Sequence, residues 1–230
     1  MAKQFNVTGV CIPEKHYMVD ISAKTAKIFE MIERGDYFVI NRPRQYGKTT
    51  TIDMLDRLLK TSIDYFPIEI SFEGIGSDSF KAENVFIKAF LLRLKHLFKT
   101  SGNEDPVNLL ITGPAPDSFS ELGFWLNEFV VKIGKKPVLM IDEVDKSSNN
   151  QLFLDFLGLL REKYLNRSKE GEFTFHSVIL VGVHDVKSLK TKMRKDSEAK
   201  YNSPWNIAVD FEVDLSFSAV EIRSMLADYA

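Results

Sequence analysis

The 230-residue sequence predicts an α/β fold: three layers around a mostly parallel central sheet. Two observations carry that prediction. Apolar runs of strand length alternate with segments whose apolar residues recur at helical spacing. One of those runs, Phe38-Val-Ile40, enters a turn that closes on Gly47-Lys48-Thr49, and a helical pattern follows at once.

Each element follows in order. Ile21 to Arg34 reads as a helix on Ile21, Ala26, Ile28, Phe29 and Ile32. Tyr37–Asn41 is the first strand. A helix then runs from Lys48 to about Lys60, with Ile52, Leu55, Leu58 and Leu59 as its core stripe. Phe66 to Phe72 alternates as a strand does, and Gly74-Ile-Gly76 ends it. Ala82 to Phe98 is a long helix, apolar on most faces. The stretch 102–116, rich in Gly, Pro and Asp, is an exposed loop. Ser118 and Glu121 match a capping box that opens a helix to about Ile133. Val138–Ile141 is a buried strand, and a helix spans Asn150 to Tyr164. His176 to Gly182 is a further buried strand, and a last one is expected within Ile207–Leu215. Ser218 and Glu221 form a second capping-box match before Ile222, Met225 and Leu226. Phe90, Phe98, Phe124, Phe129, Phe153 and Phe156 lie at helical spacings and are expected in the core.

Composition narrows the function. Hydrophobic residues make up 44% of the chain, enough for one sizeable core or a domain with an appendage. A net charge of −2 gives no global field to recruit nucleic acid or acidic membranes. Cys11 is the one cysteine, so no intrachain disulfide can form. His16, His96 and His176 show no ligand spacing with it, which argues against a structural zinc site. The first residues lack the apolar core of a signal peptide, and no run approaches membrane-spanning length. A cytoplasmic protein is expected.

The Gly47-Lys48-Thr49 turn has the strand, loop and helix context of a nucleotide phosphate-binding loop, the Walker A motif. Gly47 permits a backbone geometry that a Cβ would hinder. The amides of Gln45, Tyr46, Gly47, Lys48, Thr49 and Thr50 are candidates for nucleotide binding, aided by the positive end of the helix. Lys48 would reach the β and γ phosphates, and the Thr49 hydroxyl would ligate Mg²⁺. The pattern departs from consensus at Arg42, where glycine is usual, and Pro43 removes an amide. A basic turn capping a helix is the plainer alternative.

Pro137 to Asp145 is a buried-strand run that ends in carboxylates, as a Walker B motif does. Asp142 would order the metal and Glu143 would orient the attacking water. A strand ending at a solvated turn can look the same. Together the two motifs point to ATP or GTP with magnesium, and the lack of an Asn-Lys-x-Asp motif favours adenine.

Asn41-Arg-Pro-Arg-Gln-Tyr-Gly-Lys-Thr-Thr50 and Ile141-Asp-Glu-Val-Asp-Lys146 resemble the prokaryotic AAA-ATPase-like family, whose phosphate loops accept an Arg-Pro-Arg start. The lead-in from Gly9 to Asp20 resembles the N-terminal arm of that family. The resemblance implies a P-loop ATPase core with strand order 5-1-4-3-2. It divides the chain into an arm and helix at 1–35, the core at 36–215, and the start of a helical lid at 216–230 that reads as cut short. It also implies a polar sensor of the γ-phosphate at His184 or Asp185, although Asp185 would serve equally as a helix cap. Tyr17, Val19 and Ile21 would wall the base or simply belong to the core.

Two basic features stay open at this level. Arg42 and Arg44 either contact nucleotide or a partner's carboxylate, or balance Asp142, Glu143 and Asp145. The run from Lys187 to Lys200 is a solvated helix face, a nucleic-acid surface, or the source of an arginine finger at Arg194. The expected function is Mg²⁺-dependent ATP binding with slow hydrolysis, Lys48 and Glu143 being the catalytic pair. The alternative is a non-hydrolysing nucleotide switch or scaffold that acts through a protein or nucleic-acid partner. A helicase core matches Asp142-Glu-Val-Asp145 superficially, but two such cores do not fit this length. Nucleotide is the expected ligand, a homo-oligomer stays open, and no membrane partner is indicated.

Overall fold

The computed structural model describes residues 3–7, 9–100, 113–147, 150–183 and 205–229. Helix α1 spans Ser22–Glu33, strand β1 Tyr37–Asn41, helix α2 Lys48–Lys60 and strand β2 Tyr65–Ser71. Then come α3 (Glu83–Thr100), α4 (Phe119–Ile133), β3 (Lys136–Asp142), α5 (Gln151–Asn166), β4 (Ser177–Gly182) and α6 (Ala219–Tyr229).

The four strands are parallel, in the order β1-β4-β3-β2. Strands buried on both faces read as continuous apolar runs, which is why Val138–Ile141 and Val178–Val181 are apolar throughout. Alternate residues then divide between two cores. Val138 and Met140 pack with Ile28, Ile32, Ile52 and Leu55 from α1 and α2. Leu139 and Ile141 pack on the opposite face with Phe86, Phe90, Phe129 and Phe156 from α3, α4 and α5. The sheet is therefore the middle of three layers.

The expected strand over Ile207–Leu215 is a single parallel bridge, Val209 to Phe38, in which the Val209 amide donates to the Tyr37 carbonyl at 2.8 Å. It lies beside β1, the position the order 5-1-4-3-2 assigns to a fifth strand. Beyond it Val213 and Leu215 are buried by side-chain packing, without a continuing ladder.

Several core expectations need correction. Phe124 is 70% exposed, while its neighbour Trp125 is buried against Phe129. The apolar stripe of α4 passes through Leu122, Trp125, Leu126 and Phe129, which turns Phe124 outward. Leu58 is half-exposed on α2, where Ile52, Leu55, Leu59 and the polar Thr51 and Asp56 face inward. Ala26 is exposed, and Thr25 takes the inner position. A short side chain can turn inward because its hydroxyl donates to the Ser22 and Ile21 carbonyls.

The helix starts follow their caps. Ser118 Oγ accepts the Glu121 amide, but the Glu121 carboxylate reaches one residue further back, to the Asp117 amide at 2.8 Å. The Ser218 box closes in both directions, with Glu221 N–H on Ser218 Oγ and Ser218 N–H on Glu221 Oε2. Asn150 caps α5 through the Leu152 amide. No helix among the described residues is long and apolar enough to cross a membrane. His184, Asp185, Arg194 and the basic run from Lys187 to Lys200 lie outside the described residues, as do residues 101–112 of the expected loop.

Candidate functional site

The carboxyl ends of β1 and β3, separated in the sheet by β4, open on the same rim. In open α/β sheets this rim is where ligands bind. The turn after β1 brings Gly47, Lys48 and Thr49 there, and the end of β3 brings Asp142 and Glu143.

Gly47 occupies the left-handed region, at φ +71°, just before the first residue of α2. Gln45 has φ +66°, a conformation an L-residue rarely adopts. Two left-handed residues two apart bend the chain sharply between β1 and α2. The N-cap residue of α2 is Gly47, which makes no side-chain cap, and the positive end of the helix dipole lies at this turn. Arg42 has no such backbone requirement: Gln45 and Glu143 are the non-glycine residues with positive φ among the described residues.

Lys48 Nζ lies across the loop mouth, donating to the Arg42 carbonyl at 2.7 Å and the Pro43 carbonyl at 2.9 Å. Burial draws the Lys48 ammonium below the usual lysine range, and Arg44 adds to this, against the opposing pull of Asp142, Asp145 and Glu143. Thr49 Oγ1 donates to Asp142 Oδ2 at 3.0 Å, although the two residues are 93 apart in sequence. The other Asp142 oxygen accepts the Glu143 amide at 2.8 Å. Asp142 is buried and Glu143 half-buried. Glu143 is itself left-handed, at φ +58°, so its backbone is held in a strained conformation where the strand turns away.

Two further residues organise this rim. Asp145 accepts the Val183 amide and lies against Gly182, where an added Cβ would come within 2.8 Å of its Oδ2. It therefore pins the end of β4, which leads toward His184. In the sequence Asp145 is legible only as one more acid after Asp142, because its partner is a backbone amide. The Cys11 amide donates to Thr50 Oγ1 at 3.2 Å, which ties the N-terminal arm to the first turn of α2 and engages the Thr50 hydroxyl away from the loop. Val19 and Ile21 are core residues, and Tyr17 packs with Phe5 and Tyr229. Tyr46 is 42% exposed on the loop.

Arg42 and Arg44 part ways. Arg44 is exposed near Lys48. The Arg42 guanidinium turns back to the Val213 carbonyl, at 3.2 Å, and to the Phe211 ring. Of the alternatives left open for it, its side chain takes neither: it is directed to the edge segment and away from the acids that end β3.

The AAA-like domain family matches residues 10–229. No curated protein matches the chain. Among solved structures, the Walker-type ATPase PABY2304 of Pyrococcus abyssi aligns with a TM-score of 0.56 at 16% identity, over 96% of this chain and 60% of that one. The chain thus spans less than two thirds of the length of that ATPase. At this identity the likeness is one of fold. The ORC2 protein of Aeropyrum pernix, solved in ADPNP–ADP complexes, aligns with a TM-score of 0.46 at 16% identity, over 74% of this chain and 42% of that one. The ORC1 protein of the same organism, solved with DNA, aligns with a TM-score of 0.46 at 13% identity, over 91% and 49%.

Proposed function

Because the chain belongs to the AAA-like domain family, we propose that it binds ATP with Mg²⁺ at the turn after β1 and hydrolyses it slowly. One observation carries the reading: the Thr49 hydroxyl and the Asp142 carboxylate meet at 3.0 Å, beside a lysine held by loop carbonyls.

The donor set fits the ligand. A hydroxyl and a carboxylate are hard oxygen ligands of the kind magnesium takes, usually with waters completing its shell. A magnesium ion held by Thr49 and Asp142 would supply positive charge against the negative charge that develops in phosphoryl transfer. Lys48 makes its two carbonyl contacts at the loop mouth, where phosphate oxygens are the stronger acceptors for an ammonium. The amides of Gln45, Tyr46, Gly47, Lys48 and Thr49 hold the phosphate chain, with Thr50 continuing the first turn of α2. Glu143 stands one residue beyond the metal ligand and orients the water that attacks the γ-phosphorus. The products are ADP and phosphate.

In this reading residues 1–35 lead into the site, 36–215 form the ATPase core, and 216–230 begin a helical lid. His184 and Asp185 remain the sensor candidates, by their position after β4.

A Glu143→Gln variant separates turnover from binding. It removes the group that polarises water and keeps the shape of the side chain. Phosphate release is expected to fall by about 100-fold or more, with ATP affinity unchanged. Unchanged turnover would remove Glu143 from its assigned role.

A further inference from the structure

We propose that Arg42 is a positioning residue: a strut that fastens the phosphate loop to the edge segment 209–215 and, through it, to α6. The functional part of the inference rests on the nucleotide reading of the loop given above.

Arg42 stands where the phosphate-loop consensus has glycine. Its φ is not positive, so the backbone demands no glycine there. Two of its contacts belong to the backbone, and any residue would make them. Its amide donates to the Gly182 carbonyl at 3.2 Å, extending the β1–β4 pairing by one step. Its carbonyl accepts Lys48 Nζ at 2.7 Å.

The side chain adds what glycine cannot. Nη2 donates to the Val213 carbonyl at 3.2 Å, and Nη1 donates to the Asn41 carbonyl at 2.9 Å. The guanidinium carbon lies 5.5 Å from the centroid of the Phe211 ring, which itself stacks on Phe38 at 5.9 Å. The Val213 and Phe211 contacts both fall past Val209, where the backbone bridge to β1 ends. An arginine side chain thus supplies the polar tie that a fifth strand would have made with its ladder. The planar fork reaches a carbonyl and an aromatic face together, which a lysine ammonium does not do.

The segment it holds leads on. Ser216 O accepts Lys24 Nζ at 2.7 Å, and the same ammonium pairs with Glu221 in the first turn of α6. At the far end of α6, Tyr229 packs on Tyr17 at 5.3 Å, and the arm that carries Tyr17 returns to α2 through the Cys11–Thr50 bond. The contacts close a ring from the Lys48 partner, through Arg42, the edge segment, α6 and the arm, back to the phosphate-loop helix. Arg42 is the member of this ring that touches both the phosphate lysine and the edge. It tunes affinity without touching phosphate.

The test compares Arg42→Gly, Arg42→Lys and Lys48→Ala with the unaltered chain, by amide hydrogen exchange and by ATP titration. Arg42→Gly restores the consensus loop. It is nevertheless expected to weaken ATP binding about tenfold, the size of one charge-assisted hydrogen bond, through KM with kcat little changed. Exchange should rise in 209–215 and 219–229 and stay at its wild-type rate in β2 and β3. Arg42→Lys keeps the charge, and is expected to behave like Arg42→Gly. Lys48→Ala should abolish binding and leave the exchange of 209–215 unaltered.

Three results would overturn the proposal. One is an Arg42→Gly protein that binds ATP as well as the unaltered chain. Another is unchanged exchange in 209–215. The third is full rescue by Arg42→Lys, which would assign the residue a role as a positive charge. If Arg42→Gly does not fold, Arg42→Gln replaces it, with the same outcomes. If the unaltered chain binds no ATP, the nucleotide reading fails, and the exchange data alone decide whether Arg42 holds the edge.

Discussion

The two edges of the sheet are held by different chemistry. At one edge, β2 pairs with β3 over seven residues, from Tyr65 opposite Lys136 to Ser71 opposite Asp142. The ladder is backbone throughout, and it delivers Asp142 to the rim in fixed register. At the other edge, beyond β1, the backbone contributes the Val209 bridge among the described residues, and side chains add to it: Arg42 on Val213, and Phe211 on Phe38. A backbone ladder tolerates most substitutions on its strands. An edge fastened by a few side chains is more exposed to the loss of any one of them. The half of the site that carries the acids is thus held by a backbone ladder, and the half beside the turn after β1 largely by side chains.

A change at the junction of the edges should be the most damaging. Gly182 lies at the end of β4, between β1 and β3, and its carbonyl accepts the Arg42 amide. A Cβ there would meet the Asp145 carboxylate at 2.8 Å, and Asp145 is committed to the Val183 amide. Gly182→Ala is expected to cost about 2–3 kcal/mol, as overpacking at a closed site does, and to weaken nucleotide binding in step. Chemical denaturation with a parallel ATP titration checks both. A stability loss below about 0.5 kcal/mol, the size of an ordinary surface change, would mean that the β4 end yields easily and the edges are not coupled through it.

A smaller effect, of opposite sign, is expected at the β2 edge. Glu69 is pushed up to about 7, first by burial and then by Asp56, Asp53 and Asp142, with Lys60 opposing. Between the ordinary glutamate value of 4.5 and about 7 the folded chain holds a proton that the unfolded chain has released. Stability from this group is therefore full below 4.5 and is lost as pH rises toward 7. Glu69→Gln should stabilise the protein by about 1 kcal/mol at pH 8, after allowance for solvent screening of a partly exposed group, and by nothing at pH 4. Thermal unfolding at the two pH values reads this directly. An equal effect at both would show that packing, and not charge, sets the environment of Glu69.

Local patterns in the sequence are legible, and most contacts between distant segments are not. Strand β1 and helix α2 were readable to the residue, because the apolar run Phe38-Val-Ile40 and the stripe Ile52, Leu55 and Leu59 are local patterns. The pairing of Thr49 with Asp142 was approachable because each lies at the end of a readable strand or the start of a readable helix. Three kinds of feature were not. Phe124 has helical spacing but sits off the narrow stripe of α4, and spacing alone does not choose a face. The segment 207–215 has strand composition, but whether it forms a ladder depends on its neighbour. The direction of the Arg42 side chain depends on Val213, 171 residues away, and in the sequence Arg42 stands only beside the loop and the acids, with nothing that points to that carbonyl.

Nucleotide binding at Lys48, Thr49 and Asp142 underlies every functional prediction made for this chain. Isothermal titration of the purified chain with ATP and magnesium, beside a Lys48→Ala variant, tests it most directly. Saturable binding to the unaltered chain is expected, weakened by about 100-fold or more in the variant. Binding of equal strength in both proteins, or none by the unaltered chain, would contradict it.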